Sequence, residues 1–102
     1  MRLEHYPQKK LEKEILKIVS KHLDLKKYKV FFFGSRVRGD NFEKADIDIG
    51  IEGSKEVPAK AFLNIQDDLE KIPFLYKIDF VDFKTVSEKF KKEALKHIEK
   101  IK

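Results

Sequence analysis

Cysteine is absent from all 102 residues. That excludes disulfides and any thiolate metal site, and it fits the reducing cytoplasm in which we expect the chain to work. No apolar stretch approaches the roughly 18 residues that a membrane-spanning helix needs. The opening stretch, MRLEHYPQKK, lacks the apolar core of a secretory signal. With four glycines and three prolines in the whole chain, nothing reads as a linker, a repeat or a low-complexity tract. Asparagine and glutamine number only two each while charged residues reach 40%, a bias toward Lys and Glu that resembles proteins from hot environments.

What is present is material for a core. Hydrophobic residues make up 41% and nine are phenylalanine, so we expect a single domain over residues 1–102. Two independent cores would need a longer chain. Lys plus Arg number 23 against 18 Asp plus Glu, a formal net charge of +5. This excess suits an anionic partner such as a nucleotide, RNA or an acidic protein surface, but it is too small to mark a nucleic-acid-binding protein by itself.

Periodicity predicts the order α-β-(short α)-β-α-β-α. Pro7 suits the first turn of a helix, and Leu11, Ile15, Ile18, Val19 and His22 follow at helical spacing. KYKVFFF, from Lys27 to Phe33, reads as a buried strand ending at Gly34. SRVRG reads as one helical turn closed by Gly39, and DNFEK as a loop. ADIDIGI alternates: Ile47, Ile49 and Ile51 face one way, and Asp46, Asp48 and Gly50 the other. After a turn over Glu52–Pro58, Phe62, Ile65, Leu69 and Ile72 make a helical stripe that Pro73 stops. YKIDFVDF, from Tyr76 to Phe83, reads as a third strand. Thr85 and Glu88 have the spacing of a capping box, opening a last helix that carries Phe90, Ala94, Leu95, Ile98 and Ile101 inward. The expected fold is α/β (α+β): a small mixed sheet with helices packed on one face and the other face left to the carboxylates.

Two carboxylates at alternate positions of an apolar strand need an explanation. Like charges repel, and burying them costs several kcal/mol unless something positive lies between them. Asp46 and Asp48 stand two residues apart on one strand face, roughly 6.5 Å between Cα atoms. Both can converge on metal ions, and two-metal phosphoryl-transfer sites hold their ions about 3.5–4 Å apart. Mg²⁺ suits oxygen ligands of this kind. Asp79 lies between Ile78 and Phe80 in the next apolar run and would complete a triad if the two strands are neighbours. Asp82 competes for that role, with opposite facing on an ideal strand.

Gly34-Ser35 supplies a complementary half. A strand that ends in Gly-Ser and opens a helical turn directs backbone N–H groups, and the positive end of the turn, at an anion. Ser35 adds a hydroxyl donor, and Arg36 and Arg38 add guanidinium groups suited to phosphate oxygens. A nucleoside triphosphate laid across both halves would meet cradle and carboxylates together. Other readings stay bland. Asp46 and Asp48 alone would also suit the solvated face of an edge strand. Asp40, Glu43 and Lys44 read as loop solvation. The C-terminal lysines read as a solvated helix face. Phe31-Phe32-Phe33 reads as core. His5, His22 and His97 share no ligand spacing, and His22 reads as a packed boundary residue.

The stretch resembles the signature of the DNA polymerase beta-like nucleotidyltransferase superfamily: Gly-Ser, a spacer, Asp-x-Asp, then a later strand Asp. It is most similar to the small minimal nucleotidyltransferases, or MNT proteins, in which Gly-Ser-x-x-x-Gly leads through five residues to Ser-Asp-x-Asp. Gly34, Ser35, Gly39, Asp46 and Asp48 match in place, and Asp79 matches the third carboxylate. Ala45 departs, standing where serine is usual. The resemblance covers nearly the whole chain and implies the polymerase beta-like fold. It implies transfer of a nucleoside monophosphate, AMP from ATP above all, to a hydroxyl. Asp46, Asp48 and Asp79 would be catalytic and would hold two Mg²⁺ ions; Gly34, Ser35, Arg36 and Arg38 would bind the nucleotide. It also implies a helical HEPN-type partner protein and a toxin–antitoxin role. The alternative is an MNT-type antitoxin that neutralises its HEPN partner by contact without catalysis; a plain RNA-binding domain is a third reading.

Overall fold

A strand reading Val30-Phe31-Phe32-Phe33 can be buried throughout only if both of its faces are covered. In the computed structural model, which describes residues 1, 3, 6–39, 46–74 and 76–102, all four of these side chains are buried. The described elements run in the order α1 (Gln8–Ser20), β1 (Tyr28–Phe33), α2 (Ser35–Arg38), β2 (Ile47–Gly53), α3 (Ala59–Glu70), β3 (Ile78–Asp82), α4 (Glu88–Ala94) and β4 (Glu99–Lys100), with a 3₁₀ turn over Leu25–Lys27. The strands form one mixed sheet in the order β3-β2-β1-β4. β1 is antiparallel to β2 and to β4, and β2 is parallel to β3 through the α3 crossover. The expected loop over 40–44, together with Ala45 and His5, lies outside the described residues.

Alternation sorts the strand side chains into two cores. Val30 and Phe32 of β1, Ile47, Ile49 and Ile51 of β2, and Phe80 of β3 pack under α1 and α3, against Leu11, Ile15, Val19, Ile65 and Leu69. This is the helix-covered face that the sequence predicts. His22 Nε2 lies 2.9 Å from Asp68 Oδ2, joining the end of α1 to α3, in keeping with a boundary residue. On the other face Phe31, Phe33 and Phe83 form a second, smaller core, with Ala94 and Leu95 packed against it. The rings of Phe31 and Phe33 meet that of Phe83 edge to face, at 4.9 and 5.0 Å. So the carboxylate face is shared: α4 covers part of it, held to β2 by an ion pair between Lys91 and Glu52.

Two expectations about the C-terminal quarter are corrected. The last helix does not run to Ile101 but ends at Ala94, and Glu99–Lys100 adds to the outer edge of β1. That edge offers unpaired backbone groups. Residues 99–102 satisfy them: the Ile101 and Lys102 amides donate to the Val30 carbonyl at 2.8 and 2.9 Å, and the Val30 amide donates to the Lys102 carbonyl at 3.2 Å. A continuous helix would have kept Phe90, Ala94, Ile98 and Ile101 on one stripe. The strand instead carries Ile101 round the sheet edge to the α1–α3 core while Ala94 stays with the aromatic one. The cap is also different. Ser87 accepts from the Phe90 amide at 3.1 Å, and the Thr85 hydroxyl is taken by the Asp82 carbonyl at 2.9 Å. Among the described residues no helix is long and apolar enough to cross a membrane.

Gly50 has the space of a hydrogen only: a Cβ there would stand 2.5 Å from Phe31 Cε2 and 2.8 Å from Phe83 Cε1. Gly50→Ala should therefore cost about 1–3 kcal/mol through overpacking of the aromatic core. For a chain of this size, thermal unfolding should fall by roughly 4–8 °C per kcal/mol. An unchanged melting temperature would contradict the packing.

Candidate active site

The sheet brings three strand ends to one place. In the register, Phe33 at the end of β1 opposes Asp48 on β2, and Asp48 opposes Asp79 on β3. Asp48 and Asp79 thus occupy matched positions on adjacent strands, about 4.8 Å apart along the hydrogen-bonding direction. Asp46 stands just before β2 and is half-buried, as is Asp48, while Asp79 is exposed.

Gly34 follows β1 directly, with φ at +83°, a conformation that side-chain-bearing residues rarely adopt. Its missing side chain has a second consequence. A Cβ on Gly34 would lie 1.9 Å from Asp48 Oδ2, so the carboxylate rests where any other residue would put its side chain. Ser35 opens α2, a single turn in which the amides of Val37 and Arg38 donate to the Gly34 carbonyl, both at 3.1 Å.

Gly34, Ser35, Arg38, Asp48 and Asp79 line one cleft of ≈ 700 Å³. These are five of the seven residues proposed from the sequence. Arg36 goes elsewhere: it is 2% exposed, and its guanidinium lies over the Tyr76 ring at 4.7 Å, tying α2 to the segment before β3. Asp46 flanks the cleft without lining it, yet lies near enough to act on Asp48 through its charge. Asp82 points away, accepting from the Val57 amide at 2.8 Å and the Lys84 amide at 2.9 Å. The far wall was not read from the sequence. It comes from α4 and the segment after it, through Phe90, Glu93, Ala94, Lys96 and His97. The spacing of Phe90, Glu93, Ala94 and His97 (i, i+3, i+4, i+7) is a helical stripe, but the same spacing serves a core just as well.

Burial pushes the Asp48 carboxyl up to about 6, the neighbouring Asp79 and Asp46 carboxylates push the same way, and Arg38 opposes them. A cation beside these groups would relieve that repulsion. The described residues contain no group of three or more His, Asp or Glu side chains already placed to hold a metal ion. Mg²⁺ commonly needs only one or two carboxylates, completing its shell with water and substrate phosphate. Asp48 with Asp79, or with Asp46, fits that requirement.

The family model described as Polymerase beta, Nucleotidyltransferase matches residues 13–102. Among solved structures, a chain of a toxin–antitoxin crystal structure with AMP-PNP superimposes with a TM-score of 0.72 at 20% identity, covering 89% of this chain and 72% of that one. A chain from the complex of a tri-AMPylated Shewanella oneidensis HEPN toxin with an MNT antitoxin gives 0.71 at 19% identity, covering 94% and 72%. A Sulfolobus solfataricus protein, provisionally named a nucleotidyltransferase, gives 0.54 at 27% identity, covering 89% and 76%. No curated protein sequence matches closely enough to count as a relative.

A carboxyl raised from 3.8 to about 6 has a defined effect on stability. Between about pH 4 and pH 6 the folded chain holds more protons than the unfolded one, so stability falls as pH rises through that window and is level above it. Asp48→Asn should remove this fall. In chelator, urea unfolding of wild type against the variant should show the variant gaining about 1–2 kcal/mol from pH 4 to pH 7, after allowance for solvent screening of a half-buried group. A difference independent of pH would contradict the electrostatic account.

Proposed function

We propose, from the premise that this chain belongs to the polymerase beta nucleotidyltransferase family, that it transfers a nucleoside monophosphate, AMP from ATP, to a hydroxyl on a HEPN-type partner protein. The observation that carries the reading is the Asp48 carboxylate lying over Gly34, in register with Asp79, in one cleft with Ser35 and Arg38. Folds of this family generally use divalent metal ions. Here Asp46, Asp48 and Asp79 would hold two Mg²⁺ ions, which when bound lower the pKa of an attacking hydroxyl and neutralise charge on the triphosphate.

The rest of the chemistry belongs to the chain's own groups. The Ser35 hydroxyl donates to the triphosphate tail, and the Arg38 guanidinium offsets charge on the leaving pyrophosphate. Gly34 lets the phosphate approach backbone and carboxylate together. The acceptor oxygen attacks the α-phosphorus, the bond from that phosphorus to the β-phosphate bridging oxygen breaks, and pyrophosphate leaves. Asp79, the exposed carboxylate, takes the acceptor's proton and passes it to solvent. Arg36 supports the turn from beneath through Tyr76. The domain that does this spans residues 1–102.

A second reading is neutralisation of the partner by contact alone, since in the solved neighbour the MNT antitoxin stands in complex with a HEPN toxin that is already AMPylated. One experiment separates the two. Mixed with a HEPN-type partner and labelled ATP, the protein should add the mass of one or more adenylyl groups to the partner. Asp48→Asn and Asp46→Asn should each slow this by at least about 10²-fold, the scale of losing one electrostatic contact to a transition state. A partner silenced with no mass change, and silenced equally by both variants, would give the contact reading.

A further inference from the structure

The cleft has a polar floor and a partly aromatic wall. Phe90, on α4, is 42% exposed and lines it. Three large hydrophobic side chains among the described residues are this exposed, and the other two, Leu63 and Ile98, do not line the cleft. Phe90 is not a stray surface ring. Its centroid lies 6.1 Å from that of Phe33 and 5.8 Å from that of Phe83, so buried aromatics back it from behind. The capping of α4 by Ser87 on the Phe90 amide and the Lys91–Glu52 ion pair one residue on fix the helix at this position. Phe33 is followed directly by Gly34 and opposes Asp48 in the register, so Phe90 shares one cleft with the phosphate cradle and the carboxylates. One turn further, Ala94 also lines the wall.

A rigidly backed aromatic ring, left open to water next to an anion cradle, is suited to a flat π-system linked to phosphates. We infer that Phe90 is the platform on which the nucleobase of the bound nucleotide stacks, making it a binding residue that contributes affinity without choosing strongly among bases. The inference rests on the nucleotide-transfer reading above. It adds that the base lies along α4, with its ribose spanning the cleft from Ser35.

Stacking and phosphate binding separate by ligand. With Mg²⁺ present, ATP and inorganic tripolyphosphate are titrated by calorimetry into wild type, Phe90→Ala and Phe90→Leu. ATP affinity should fall roughly 5- to 100-fold in Phe90→Ala, the range of base–aromatic stacking, while tripolyphosphate affinity stays within about twofold. Phe90→Leu keeps apolar bulk on the wall and should fall less than Phe90→Ala but still lose affinity for ATP. Phe90→Trp gives a direct signal: ATP should quench its fluorescence and tripolyphosphate should not. ATP binding no tighter than tripolyphosphate in wild type, equal ATP affinity in all variants, or a transfer defect in Phe90→Ala with ATP affinity unchanged would each overturn the stacking assignment while leaving nucleotide transfer standing. Binding of neither ligand to wild type would instead overturn the nucleotide-transfer reading, and the assignment with it.

Discussion

The Asp48 carboxylate occupies the space of a side chain that Gly34 does not have, and most of the molecule is arranged around that contact. Ile47 and Ile49, on either side of Asp48, are fully buried under α1 and α3. A slip of one residue in β2 would drive the carboxylate into that core and expose both isoleucines. Register and site are therefore one constraint. The same register sets Asp48 against Phe33 on one side and Asp79 on the other, bringing the end of β1 and the starts of β2 and β3 together.

Holding three carboxylates at one sheet end works against stability, as the upward shift of Asp48 records. The opposing contributions come from elsewhere. The α1–α3 core anchors both strands that carry the acids. The Phe31–Phe33–Phe83 cluster anchors the face on which Asp48 lies, and Gly50 makes that cluster possible by leaving the rings their space. Two charged side chains brace the surroundings without lining the cleft. Arg36 fixes α2 from below through Tyr76, and Lys91 fixes α4 through Glu52. Strain of this kind is characteristic of functional sites, where unfavourable local electrostatics persist because the scaffold over-determines the geometry.

The floor of the cleft was legible in the sequence because its signals are local. Strict alternation identified the face of Asp48, and a glycine at the end of an apolar strand identified the turn. The parallel pairing that sets Asp79 beside Asp48 needed only the assumption that successive strands are neighbours. The wall was not legible. Phe90, Ala94, Leu95, Ile98 and Ile101 keep a helical spacing, yet the open edge of β1 offered backbone partners to residues 99–102 and the helix ended early. Tertiary hydrogen bonding overrode a local pattern there. For the same reason Arg36 and Arg38, two residues apart on one turn, look equivalent in sequence although one is buried over Tyr76 and the other lines the cleft.

The central claim is that cations and a triphosphate together complete a site that is electrostatically unfavourable without them. Calorimetric titration of ATP into the wild-type protein, once with Mg²⁺ and once with chelator, tests it most directly. The account predicts binding with Mg²⁺ that weakens by at least about tenfold in chelator, since the triphosphate would then face the carboxylates with no cation between them. Equal affinity in the two conditions would contradict it.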